Sequence, residues 1–181
     1  PFAIAQTLNA LAEDTANAIT VQMDRYLENP TPFTKKAYTG GRGFKGKRAT
    51  KSNFEAILIP GDIQAQYLKF QIAGGTRRPQ QSKILVPTRF APKNKYGNLS
   101  RANRKRAVAG GGKYFTAGDR EGRTPGIYKK VGTKIQPFAF YVDDANYDPI
   151  FPIDKIATGI VKNRLQKQFE KALARALQTA R

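Results

Sequence analysis

IDKIATGIVKNRLQKQFEKALARALQTA, residues 153–180, decides the outline of the fold. Ile153, Ile156, Ile160, Leu165, Phe169, Leu173 and Leu177, with the alanines beside them, recur at helical spacing and form one apolar stripe. Lys155, Lys162, Lys167, Lys171 and Arg175 fall elsewhere. The segment reads as an amphipathic helix, long for a small domain. The other end of the chain matches it. Residues 2–28 carry Ile4, Leu8, Leu11, Thr15, Ile19, Met23 and Tyr26 every three or four positions. Asn29-Pro30 ends that helix, because proline disfavours helical backbone in the residue before it. The two terminal helices pack on each other or on copies in neighbouring subunits.

Shorter elements lie between them. Phe54 to Ile59 reads as a strand stopped by Pro60-Gly61. Asp62 is placed to cap a short helix running to Ile72, with Ile63, Tyr67 and Phe70 or Leu68 inward and Gly74-Gly75 ending it. Ile84-Leu85-Val86-Pro87 is a short strand, and Ser100 caps a brief basic helix that Gly110-Gly111-Gly112 breaks. Residues 113–117, 126–131 and 134–142 are strands of a small antiparallel sheet, with turns at Gly118-Asp119, Pro125-Gly126 and Gly132-Thr133. The last of them is aromatic and central, with Pro137 placing part of it at an edge. The expectation is a single α+β domain over residues 1–181: a small antiparallel sheet packed with a long N-terminal and a long C-terminal helix. Residues 31–53 form a basic, Gly-rich loop or arm, and residues 93–125 a basic loop region with a short helix.

Charge is concentrated in the middle. Residues 34–134 hold 24 of the 32 Lys and Arg and only four acids, a net of +20. Residues 1–33 come to −3 and residues 135–181 to +2. Such a centre meets a polyanion or an acidic neighbour while the ends pack. The chain has no Cys and no His. That removes thiolate nucleophiles, disulfides, zinc sites of the usual kind and imidazole acid–base chemistry. No apolar run approaches the roughly 20 residues that span a bilayer, and the start does not read as a signal peptide. The expectation is a soluble, non-enzymatic chain without cofactor, metal or membrane contact.

Two motifs invite stronger readings. Gly41-Arg-Gly43-Phe-Lys-Gly46-Lys47 matches a dinucleotide fingerprint and most of a P-loop. Both need a strand before and a helix after, so that backbone N–H groups converge on phosphate. Here the order is helix, loop, strand, and Arg48 stands where a P-loop carries Ser or Thr. Tyr141-Val142-Asp143-Asp144 resembles the metal-binding signature of reverse transcriptases, where paired Asp hold Mg²⁺. Asp143, Asp144 and Asp148 more often cap the turn between the last strand and the last helix. Aromatics interleave with the basic residues at Phe33, Tyr38, Phe44, Phe90, Tyr96, Tyr114 and Tyr128. Anchoring their segments to the sheet is favoured over stacking on bases.

Three further stretches carry a family likeness. They are Tyr67-Leu-Lys-Phe-Gln-Ile-Ala-Gly74-Gly75-Thr-Arg77-Arg78-Pro79, then Ile84-Leu-Val-Pro87, then Asn94-Lys-Tyr96-Gly97-Asn98-Leu-Ser-Arg101. Gly126-Ile-Tyr128, the aromatic strand, Tyr147-Asp-Pro-Ile-Phe151 and the amphipathic C-terminal helix follow in order. This succession resembles bacteriophage and prophage tail proteins related to the minor tail protein Z and tail-completion, or head–tail joining, families. The resemblance implies a virion structural protein of the tail or neck, assembled in the host cytoplasm as a homo-oligomeric ring against neighbouring connector and tail proteins. It implies transient contact with packaged DNA and no catalytic residues.

Arg42, Lys45, Lys47, Arg48, Arg77, Arg78, Arg101, Arg104, Lys105 and Arg106 are the candidates for contact with DNA or an acidic partner. Gly74, Gly75, Pro79, Tyr96, Gly97 and Asn98 read as architectural. An RNA- or ribosome-associated basic binding protein fits the same charge and size. A nuclease using Asp143, Asp144 and Asp148 is the third possibility.

Overall fold

The computed structural model describes residues 1–41, 43–79, 83–118 and 122–179. The chain is α+β, as expected, with the two long terminal helices packed on each other. The single domain of the sequence reading resolves into two compact units. Unit 1 joins Pro1–Gly74 to Asp148–Arg181, and unit 2 is the inserted Gly75–Tyr147. No helix among the described residues is long and apolar enough to cross a membrane.

In unit 1, α1 (Phe2–Tyr26) buries Ala5, Leu11, Ala12, Thr15, Ala16, Ile19 and Met23. Its alanines let neighbouring elements approach closely. Thr7 and Thr15 are buried without cost, since each hydroxyl donates to a carbonyl one turn back, Ala3 at 2.8 Å and Leu11 at 2.7 Å. The expected stripe holds from Leu11 onward. At the start of the helix Ala5 takes the inward position, and Ile4 is left outside. Asn29, at φ 46°, turns the chain away before Pro30.

Helix α5 (Ile153–Thr179) runs antiparallel to α1. The rings of Tyr26 and Phe151 meet at one end, 5.9 Å apart. Midway, the Asp14 carboxylate accepts from Arg164 Nη1 at 2.8 Å and from Gln168 Nε2 at 2.7 Å. Arg164, Gln168 and Ala172 therefore form the seam. Ala172 is the one residue of α5 that is buried among those described. Toward the start of the helix Ile153 and Ile156 are half-buried against the core, whereas Val161, Leu165, Phe169, Leu173 and Leu177 lie beside the seam and stay exposed.

Residues 31–53 are not a free arm. Thr31 caps α2 (Pro32–Lys35), its hydroxyl accepting from the Thr34 N–H at 3.1 Å. Strand β1 (Thr39–Gly40) pairs with β2 (Gly43–Phe44), and β3 (Gly46–Lys47) pairs with β4 (Ile57–Leu58). Ala37, Tyr38 and Phe44 enter one core with Ile19, Met23, Leu68 and Phe151. Three apolar side chains thus anchor a segment whose charge suggested mobility.

Helix α3 (Asp62–Ala73) also differs in its facing. Gly61, not Asp62, is the N-cap, and Gln64 and Leu68 turn inward while Ile63 is 62% exposed. Gln64 Nε2 donates to the Phe33 carbonyl at 3.0 Å, which ties the helix to α2. Gly74, at φ 71°, ends the helix as expected.

Burial raises the Tyr38 phenol above the ordinary tyrosine range. The neutral form is thus favoured in the folded chain, whereas the unfolded chain ionises near pH 10. Tyr38 therefore contributes stability that is complete below pH 10 and is lost as pH rises through the folded value. Thermal melts between pH 8 and 11 should show stability falling above pH 10. Tyr38→Phe should reduce that slope, and an unchanged slope would remove Tyr38 as its source.

Unit 2 is a four-stranded antiparallel sheet in the order β6-β9-β8-β7. The strands are β6 (Ile84–Pro87), β7 (Tyr114–Ala117), β8 (Gly126–Val131) and β9 (Lys134–Val142). Strand β9 is central, as expected, and Pro137 fits by two devices. The β8–β9 ladder shifts register at Ile127/Tyr128, and the β6 ladder stops at Ala139, so Pro137 faces no strand on that side. Ile127, Phe138 and Ala139 form the core with Ala91 and Ala107, and the Tyr114 ring stands edge-on to Phe138 at 5.1 Å. Helix α4 (Arg101–Ala109) contributes Ala107 to that core. Strands β5 (Gly75–Arg77) and β10 (Ala145–Tyr147) pair antiparallel where the chain enters and leaves the unit.

Candidate interaction surfaces

The candidate basic residues separate by unit. In unit 1, Lys45 Nζ donates to the Lys36 carbonyl at 2.7 Å, and Lys47 pairs with Glu55 at 3.0 Å. The Arg48 guanidinium lies 4.7 Å above the Phe44 ring. All three cations thus have contacts within unit 1. Arg42 lies outside the described residues.

The last glycine of the phosphate-loop-like motif has a packing explanation. Gly46 has φ 130°, and a Cβ there would overlap the carbonyl oxygen of Ile57 on the paired strand. No helix follows the loop, so its N–H groups lack the convergence that phosphate binding needs. Asp143 and Asp144 do not gather either. Asp143 pairs with Lys83 at 3.0 Å, and Asp144 stands 4.0 Å from Arg78. Among the described residues no three carboxylates come close enough to share a metal ion.

In unit 2 the two central motifs build one site. The Asn94 side-chain oxygen accepts from the backbone N–H of Tyr96 and of Asn98, each at 3.0 Å. Gly97 supplies the positive φ, 77°, that closes this turn. Two residues later the Ser100 hydroxyl accepts from the Asn103 N–H at 3.2 Å and starts α4. The turn thereby aims Arg101, Arg104 and Lys105 outward. All three are exposed, as is Arg106, and none has a carboxylate within ion-pair distance among the described residues.

Arg104 meets Arg77 and Lys83 around a cleft of about 410 Å³. Ile84, Leu85 and Leu99 supply its apolar wall, and Pro79, Gly97 and Asn98 complete the rim. Reading the sequence found Arg77, Arg104, Gly97 and Asn98 but missed Lys83 and the apolar wall. The adjacency of a Lys to the first strand of a sheet was the available signal.

A second surface lies on the apolar stripe expected of the C-terminal helix, with Val161 added to it. Val161, Leu165, Phe169, Leu173 and Leu177 follow each other at four-residue intervals along α5 and are 39–68% exposed. Such a row is a continuous ridge about 24 Å long. Monomeric proteins rarely leave contiguous apolar surface of this kind uncovered.

The interleaved aromatics divide. Tyr38, Phe44 and Tyr128 are buried anchors, whereas Phe33 and Phe90 are 51% and 42% exposed. Arg89 lies over the Phe90 ring at 4.8 Å. Set against protein-family models, curated proteins and solved structures, the chain matches none.

Proposed function

We propose that this protein is a non-enzymatic structural component of a tailed bacteriophage. It assembles as a ring in the neck or proximal tail, completes the tail at the head–tail junction, and lines the passage for DNA. The motif order from Tyr67 to Phe151 supports the family likeness. The exposed ridge of α5 is the observation that carries the reading. A subunit whose longest helix is half uncovered is completed by a neighbour. Rings arise when such contacts join unlike faces through a closing rotation. The exposed cations of α4 suit a surface that tolerates passing phosphate without reading its sequence.

Assembly is the test. Sedimentation velocity and negative-stain microscopy of the full chain, alone and with the neighbouring tail proteins, should give closed rings. An antibody to the chain should label the neck of intact particles. A monomer at every concentration that enters no particle would overturn the reading.

A further inference from the structure

We infer that the cleft along β6 binds an extended, acidic and apolar segment of a protein partner. Three observations within unit 2 converge on that ligand. The first is charge. Arg77, Lys83 and Arg104 surround the cleft, and among the described residues no carboxylate lines it. Lys83 is shared with Asp143, but that pair is exposed, with Asp143 81% accessible, so an incoming carboxylate exchanges for it at little cost. Arg77 and Arg104 have no competing acid within ion-pair distance among the described residues.

The second observation is the wall. Ile84, Leu85 and Leu99 are half-buried and give the cleft an aliphatic lining without an aromatic ring. Nucleic-acid grooves that follow a single strand combine cations with aromatic stacking platforms. Aliphatic side chains beside guanidinium groups suit a peptide in which Leu or Val alternates with Asp or Glu. The volume accommodates one or two such side chains.

The third is the backbone. Strand β6 ends the sheet order, and among the described residues it pairs with β9 alone. Its outer edge offers unpaired main-chain groups to an added strand. Main-chain bonds to β6 would set the register of the segment, and the three cations would select its charge. Pro87 closes the edge at one end, since it has no N–H to give. This site is separable from the assembly reading, because a peptide can bind a chain that forms no ring.

Fluorescence anisotropy tests it on the full chain at 0.15 M salt. The probes are labelled decapeptides alternating Leu or Val with Asp or Glu, a version with Ser for every acid, a version with Ser for every apolar residue, and a ten-nucleotide single strand. The alternating peptides should bind at least tenfold tighter than either Ser version and than the oligonucleotide. Arg77→Gln with Arg104→Gln should weaken binding tenfold or more, while circular dichroism stays unchanged. N-methylation of alternate peptide bonds should weaken it by a similar factor. Perturbed amide signals at Ile84, Leu85 and Val86 would place the peptide on β6. Three results would each overturn the proposal: no alternating peptide binds, the oligonucleotide binds tighter, or the double variant binds the peptide as well as the parent.

Discussion

Gly46→Ala should lower the stability of unit 1 by about 3 kcal/mol or more, the largest effect of any glycine substitution in the 40–46 segment. Two penalties add. The backbone at φ 130° lies where side chains are strained, and the new Cβ would overlap the Ile57 carbonyl oxygen. That carbonyl belongs to strand β4, so relief requires β3 and β4 to separate. Separation also endangers the bond from the Ile59 N–H to the Lys45 carbonyl, 3.1 Å, and loosens Phe44 in the core. A melting temperature lower by roughly 10 °C is expected for a domain of this size. Gly41→Ala is the control. A Cβ there meets nothing within 4 Å, and its φ is an ordinary one. It should change stability by less than about 0.5 kcal/mol. Equal losses at both positions would mean that the segment needs glycine for flexibility and not for the close approach at Gly46.

The contrast between these glycines explains what the sequence could and could not disclose. The motif Gly41-x-Gly43-x-x-Gly46 was visible, and its flanking order already argued against phosphate. That Gly46 alone touches a partner strand depends on the β3–β4 pairing, which joins residues about ten apart and leaves no local trace. The terminal helices were legible because a helical period is written in each segment by itself. So were β7, β8, β9 and the cap at Ser100, each signalled within a few residues. The facing of α3 was legible in part. Leu68 and Tyr67 turn into the core as expected, but Ile63 stays outside and the polar Gln64 takes an inward position, satisfied by the Phe33 carbonyl. The basic middle was legible as charge, but charge did not show that Tyr38 and Phe44 fasten residues 37–49 to the core. The cleft was half legible. Gly97 and Asn98 signalled a turn, but the meeting of Arg77, Lys83 and Arg104 is made by the tertiary fold.

Phe169→Asp combined with Leu173→Ser should abolish self-assembly while leaving the fold of the subunit intact. The apolar period of α5 was read correctly as a stripe, but a period cannot say which molecule covers it. In unit 1 the α1–α5 seam is made by Asp14 with Arg164 and Gln168, and by Ala172. Phe169 and Leu173 lie off that seam, 41% and 40% exposed. Each is already more than half covered within the subunit, so replacing both should cost the isolated subunit about 2–3 kcal/mol, too little to unfold it. An interface that covers their remaining exposed surface loses roughly 1 kcal/mol for each side chain, and about 1–3 kcal/mol more where the new carboxylate is left without a partner. The association constant should fall by at least about a hundredfold per contact, and a closed ring multiplies that loss over its contacts. Sedimentation velocity should register monomers under conditions where the parent chain assembles, with the same far-ultraviolet dichroism and a cooperative melt that stays above the assay temperature. Lys167→Ala with Lys171→Ala removes two charges from the same helix and should leave assembly nearly unchanged. Intact rings from the Phe169/Leu173 variant would place the contacts on another surface, and loss of rings from the lysine variant alone would make them electrostatic instead of apolar.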